Sequence, residues 1–196
     1  MKIGFLLNHE QIHQVAHAAP IAYALSRARP DFDVTIITGS QALADEAQRY
    51  APRFAGHHAK FVQLSLSLPM RFANRLLRGF APVEKVALLR AHAKYLNGFD
   101  AIVTPEKTAL FLRTRFGATH PKIIHTRHGA GDRAIGFDAS GAKFDFALLS
   151  GQKIADRLRE VGNLPPAHTI SGYPKFDAVG AFDPPTNKLF NNDRKT

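Results

Sequence analysis

The sequence predicts an α/β protein: a doubly wound parallel sheet, Rossmann-like, with helices on both faces. Two observations carry that expectation. Short apolar runs of strand length alternate with longer amphipathic segments along most of the chain, the pattern of a parallel sheet covered by helices. Punctuation falls between them: Ser40 and Thr104 are of the type that caps helix N-termini, Gly98, Gly117 and Gly162 stand where helices should stop, and Pro30 and Pro121 separate a helix from the next strand.

The strands read, in order, as residues 2–8 (KIGFLLN), 33–38 (DVTIIT), 61–66 (FVQLSL), 101–104 (AIVT), 122–126 (KIIHT), 146–149 and 168–171. Between them the helical candidates are 14–29, 41–50, a long basic stretch 70–97, 107–116 and 152–161. Residues 180–196 (GAFDPPTNKLFNNDRKT) lose all periodicity and carry a Pro-Pro pair. They read as a linker, which makes 1–179 the folded domain and 180–196 a run-in to a further one.

Composition bounds the function. With 196 residues and 45% hydrophobic content the chain can bury one sizeable core or two small ones. It has no cysteine, which removes disulfides, thiolate metal sites and cysteine nucleophiles and fits a reducing compartment. No apolar run reaches the roughly 20 residues of a membrane span, and the opening KIGFLL is not a signal peptide, so the expectation is a cytoplasmic protein. The formal charge of +10 is uneven: residues 1–60 hold six basic and five acidic side chains, residues 61–196 twenty and eleven. Such an excess suits an anionic partner. Nucleic acid is a poor fit, because no helix-turn-helix, zinc-finger or ribonucleoprotein signature is present. A nicotinamide dehydrogenase is a poor fit as well, since NHEQIH follows the first strand where a Gly-x-Gly-x-x-Gly turn would stand.

The most site-like stretch is 122–138, KIIHTRHGAGDRAIGFD. A strand runs into His128, Gly129, Gly131 and Asp132, and the carboxyl end of a strand in an open α/β sheet is where ligands bind. Glycines let the backbone approach a ligand, and histidine and aspartate hold or move protons. The plain alternative is a Gly-rich turn with a hydrogen-bonded histidine. A hydroxyl acceptor has a pKa far above neutrality, and a histidine with an ordinary pKa of about 6.5 suits its activation. Asp132 would orient that imidazole or bind an acceptor hydroxyl, the Gly129–Gly131 amides would meet phosphate oxygens, and Arg127 and Arg133 would neutralise a diphosphate. Solvated arginines are the alternative for either one.

A second cluster follows the first strand. His9, His13 and His17 recur every four residues, which would align them on one helix face beside Glu10. Histidines four apart can hold zinc, yet the His-Glu-x-x-His pattern is missing, and no metal is expected. By position His9, Glu10 and His13 line the same cleft as His128; the alternative is a polar helix cap with His17 against the sheet. The stretch 70–94 sets Arg71, Arg75, Arg78, Lys85, Arg90 and Lys94 against Glu84 alone. Residues 70–80 would suit an anionic membrane surface, and an ordinary helix pair on the sheet is the alternative. Lys175, in Gly172-Tyr173-Pro174-Lys175, is placed to reach a phosphate, in a turn whose main role is to shape the cleft wall. A serine nucleophile elbow is absent.

Three motifs in order, RHGAGDRAIGF (127–137), FDFALLSG (144–151) and SGYPKFD (171–177), resemble the family of CDP-glycerol glycerophosphotransferases and related teichoic-acid and capsule transferases. The resemblance covers roughly residues 100–180. It implies the N-terminal half of a two-domain GT-B architecture, His128 as general base, and no cofactor beyond a nucleotide-activated donor such as CDP-glycerol as substrate. It further implies a polyol or lipid-linked acceptor in cell-surface polymer synthesis, with peripheral contact at the inner membrane face. Arg127 stands where many members carry tryptophan, a residue this chain lacks. The family's donor nucleotide lies mainly on a C-terminal domain that these 196 residues do not include, so the chain alone would be inactive. A sugar-nucleotide epimerase of similar architecture and a non-catalytic Rossmann module for a phosphorylated ligand are the alternatives.

Overall fold

A computed structural model describes residues 1–9, 11–67, 83–127 and 136–179. Among these residues seven strands form one sheet: β1 (Lys2–Leu7), β2 (Asp33–Thr38), β3 (Lys60–Gln63), β4 (Ala101–Thr104), β5 (Lys122–Thr126), β6 (Phe146–Leu149) and β7 (His168–Ile170). Every pairing is parallel, and the order is β3-β2-β1-β4-β5-β6-β7. The chain winds outward from β1 in one direction, then returns to its other side at β4. That reversal is the topological switch point.

The central strands are apolar because both of their faces are covered. β4 (AIVT) is buried throughout, and β2 is buried from Val34 onward. The edge strands β3 and β7 are half-exposed. On one face α1 (Ala19–Ala28) and α2 (Gln41–Tyr50) pack over Phe5, Leu7, Val34, Ile36 and Val103. Opposite, α3 (Val83–Ala91), α4 (Ala93–Leu96) and α5 (Phe111–Thr114) pack over Leu6, Ile37, Ile102 and Ile123. A smaller cluster of Phe137, Ala147, Leu149 and Leu158 lies under α6 (Gln152–Glu160), and α7 (Pro174–Val179) closes the described chain. The fold is therefore the doubly wound α/β sheet that the alternating pattern predicts.

Several elements differ in detail. The expected helix 14–29 divides into a 3₁₀ turn (Ile12–His17) and α1, because Pro20 cannot donate in a helix interior and instead occupies the first turn of a new helix after Ala18. The expected strand 61–66 runs Lys60–Gln63, although Leu64 still donates to the Thr38 carbonyl at 2.8 Å. Strand 168–171 ends at Ile170, with Ser171 N–H bonded to Leu149 O at 2.9 Å, and strand 2–8 ends at Leu7. Helix 107–116 starts as a 3₁₀ turn (Lys107–Leu110) before α5. Ser40 caps α2 as expected, but Thr104 accepts from the Glu106 N–H at 3.1 Å and closes a local turn ahead of the helix. Gly117 and Gly162 do follow the ends of α5 and α6 with φ of 69° and 70°. Of the basic stretch 70–97, residues 70–82 lie outside the described residues, and the remainder forms α3 and α4 with a break at His92. Residues 180–196 also lie outside them.

Candidate functional site

Polarity in the core is concentrated at one edge. Of the ten buried polar side chains among the described residues, eight (Asn8, His9, Gln14, His17, Thr38, Thr104, His125 and Thr126) stand at strand carboxyl ends or in the turn after β1. Burying polar groups costs free energy unless they are satisfied, so this clustering marks the edge as more than packing. Gln14 Oε1, Thr38 Oγ1 and Thr126 Oγ1 are buried there without a hydrogen-bond partner among the described residues.

The switch point lies at the centre of this edge. Phe5 stands beside Val103, and Val103 beside Ile124, so Asn8, Glu106 and Arg127 follow the carboxyl ends of three adjacent strands. Asn8 Nδ2 donates to the Lys85 carbonyl of α3 at 3.1 Å. Lys85 Nζ lies 3.5 Å from Glu106 Oε1, both side chains being about 15% exposed. Gly39, just past β2, abuts Asn8: a Cβ there would lie 2.5 Å from Asn8 Oδ1. His125 stacks nearly parallel on Phe144 with centroids 4.5 Å apart, and its Nε2 reaches the Pro105 carbonyl at 3.3 Å, which steadies the turn bearing Glu106. Lys107 pairs with Asp138. That contact, and the hydrogen bonds from Ser140, hold the Asp138 carboxyl well below the usual carboxylate range.

Arg127 follows β5 and is half-buried. Its Nη1 donates to the Gly136 carbonyl at 2.8 Å, and the guanidinium carbon lies 4.2 Å from the Phe137 ring centroid. Burial lowers its pKa, with the Asp138 charge acting in the opposite sense.

Of the other sequence-predicted site residues, His9 is buried at the end of β1, His13 is exposed on the 3₁₀ turn, and Lys175 is half-buried on α7. Glu10, His128, Gly129, Gly131, Asp132 and Arg133 lie outside the described residues. The expected alignment of His9, His13 and His17 is corrected: a 3₁₀ turn winds three residues per turn, so four-residue spacing does not stack, and His13 is exposed where His17 is buried. Among the described residues no group of three His, Cys, Asp or Glu side chains is placed to hold a metal ion. The structure does join two distant motifs, since the Tyr173 ring of SGYPKFD meets His17 edge-on with centroids 5.1 Å apart. Asn8, Lys85 and Glu106 were not among the candidates. Glu106 had a signal, standing two residues past a strand end in TPEK, but the strand order that makes β4 a switch-point strand is not written locally.

No helix among the described residues is long and apolar enough to cross a membrane. No family model matches the sequence, and no curated protein matches it. The transferase resemblance therefore rests on its three motifs. Among solved structures, the chain is similar to the apo form of the lipopolysaccharide outer core galactosyltransferase WaaB, at 12% identity and a TM-score of 0.49, over 87% of this chain and 45% of that one. The chain thus spans less than half the length of that structure, and a likeness at this score carries no weight for activity or substrate.

Proposed function

We propose that this chain is the N-terminal, acceptor-side domain of a transferase that moves a glycerophosphate or sugar unit from a nucleotide-activated donor to a polyol or lipid-linked acceptor. The observation that supports the reading most is the sheet order. It puts the end of β5, whose next residues are RHGAGD, one strand from the switch point, where open α/β sheets bind ligands. In this reading His128 takes the proton of the attacking hydroxyl, Asp132 orients its imidazole, and the Gly129–Gly131 amides with Arg133 meet the donor's phosphates. His9, Glu10 and His13 contact acceptor hydroxyls, Lys175 approaches a phosphate, and residues 70–80 touch an anionic membrane surface. Residues 180–196 lead to the donor-binding domain of a GT-B architecture.

The test is turnover by the full-length gene product with a panel of nucleotide donors, CDP-glycerol included, and polyol or lipid acceptors. Loss of general-base catalysis in a folded His128→Ala protein lowers kcat about a hundredfold or more. Unchanged turnover removes His128 as the base. No turnover of the wild type with any donor removes the transferase reading in favour of a binding module.

A further inference from the structure

We infer that Arg127 is a positioning residue rather than an anion ligand: it ties the end of β5 to Gly136 and Phe137 and so fixes how the chain leaves the strand toward residue 128. This inference deepens the transferase reading and rests on it for its catalytic consequence. The geometry of the tie does not depend on that reading.

The guanidinium is engaged at one nitrogen and on one face. Nη1 donates to the Gly136 carbonyl at 2.8 Å. One planar face lies against Phe137, with the guanidinium carbon 4.2 Å from the ring centroid, a cation–π geometry. Nε is buried with no partner among the described residues. Nη2 faces Gly136, where an added Cβ would lie 3.3 Å from it, and Gly136 has φ of 100°, which other L-residues rarely adopt. An arginine serving a diphosphate presents its fork outward to paired oxygens. Here one nitrogen of the fork, Nη1, is spent on a backbone carbonyl nine residues downstream.

The receiving end is itself anchored. Phe137 is buried in the cluster under α6, and its carbonyl accepts from Asn163 Nδ2 at 2.7 Å. Asp138 is held by Lys107, just past β4. On the other side, the Arg127 N–H bonds Leu148 O of β6 at 3.2 Å. Residues 127 and 136 are therefore fixed to each other, to the ends of β5 and β6, and through Asp138 to the turn after β4. Lysine cannot replace this arrangement, because a single ammonium lacks both the planar face and the fork.

The experiment uses the full-length protein with Arg127→Lys, Gly136→Ala and the double variant, measuring kcat, donor KM and thermal midpoint for each. A misplaced catalytic group costs on the order of tenfold to a hundredfold in rate, so Arg127→Lys lowers kcat by that much with little change in donor KM. Gly136→Ala, which removes no charge, lowers kcat similarly. The double variant is no worse than the worse single one in both kcat and midpoint, because both substitutions break one tie. A rise in donor KM for Arg127→Lys at unchanged kcat, with Gly136→Ala leaving donor KM unmoved, overturns the inference and makes Arg127 an anion ligand. If the wild type turns over no donor, the transferase reading falls by itself. The midpoints then decide the tie: non-additive losses support it and additive losses overturn it.

Discussion

Tyr23 gives the sharpest test of how the helical face is held. Its side chain is fully buried, and its hydroxyl donates to the Ala47 carbonyl of α2 at 2.7 Å. That carbonyl needs a donor because α2 tightens at its end: the Ala51 N–H bonds Gln48 O rather than Ala47 O. Tyr23→Phe keeps the ring, and with it the contacts to Phe54, His57 and Phe61 at centroid distances of 5.7, 4.6 and 6.3 Å. What is lost is one buried hydrogen bond, with the acceptor left unsatisfied, at a cost of about 2 kcal/mol within a range of about 1–3. For a chain of this size each kcal/mol moves the thermal midpoint by about 2–4 °C, so the expected fall is about 4–8 °C. Urea denaturation at neutral pH measures the free energy and a thermal scan the midpoint. A loss below about 0.5 kcal/mol would show that the carbonyl finds another donor and refute the capping role.

Alkaline pH adds an independent check. Burial pushes the Tyr23 phenol far above its ordinary value of 10.0. The native state therefore keeps a proton that the unfolded chain releases, so stability is fully present below about pH 10 and falls as pH rises toward the native pKa. Burial and the hydrogen bond to Glu46 push Tyr50 up to about 12, so wild type and variant share that slope. The gap between them narrows above pH 10 if Tyr23 contributes, and stays constant if it does not.

Two further predictions concern the carboxyl edge. Gly39→Ala drives its Cβ into Asn8 Oδ1 and destabilises by about 1–3 kcal/mol through overpacking. Asn8→Ala in the same chain removes the obstacle, so the double variant is more stable than the summed singles by roughly 1 kcal/mol in denaturant melts, and strict additivity would rule out the contact. Asp138→Asn flattens the acid limb of the stability curve. The native carboxyl titrates below its unfolded value, so its contribution is present above about pH 4 and lost as pH falls through the native pKa. Melts of wild type and variant from pH 5 to 2 test this, and parallel curves would exclude it.

The bounds of β2, β4, β5 and β6 were legible in the sequence because each holds a short apolar run bounded by charged, Gly, Pro or Ser residues. The segment after β1 was misread for a local reason. Its histidine spacing fits an α-helix, yet Pro20 resets the helix start and leaves 12–17 wound as a 3₁₀ turn. The switch-point group was not legible, because Asn8, Gly39, Lys85 and Glu106 meet only once β1 is flanked by β2 and β4. Arg127 shows the same limit: its charge is visible in the sequence, but its attachment to backbone nine residues away is not.

The edge-on meeting of His17 with Tyr173 bears on the order in which the molecule can assemble. The first strand is a middle strand, so one of its flanks stays unpaired until residue 101 arrives, and the turn beside it lacks its aromatic neighbour until residue 173 does. Contacts this far apart in sequence are slow to form, because a long chain segment must be closed before they repay its lost entropy. A chain emerging from the ribosome would hold β1 and the turn after it half-dressed until residues 101 and 173 follow, with apolar strand edge exposed to whatever else is nearby. The turn after β1 would gain its aromatic neighbour only after the last strand of the sheet has been made.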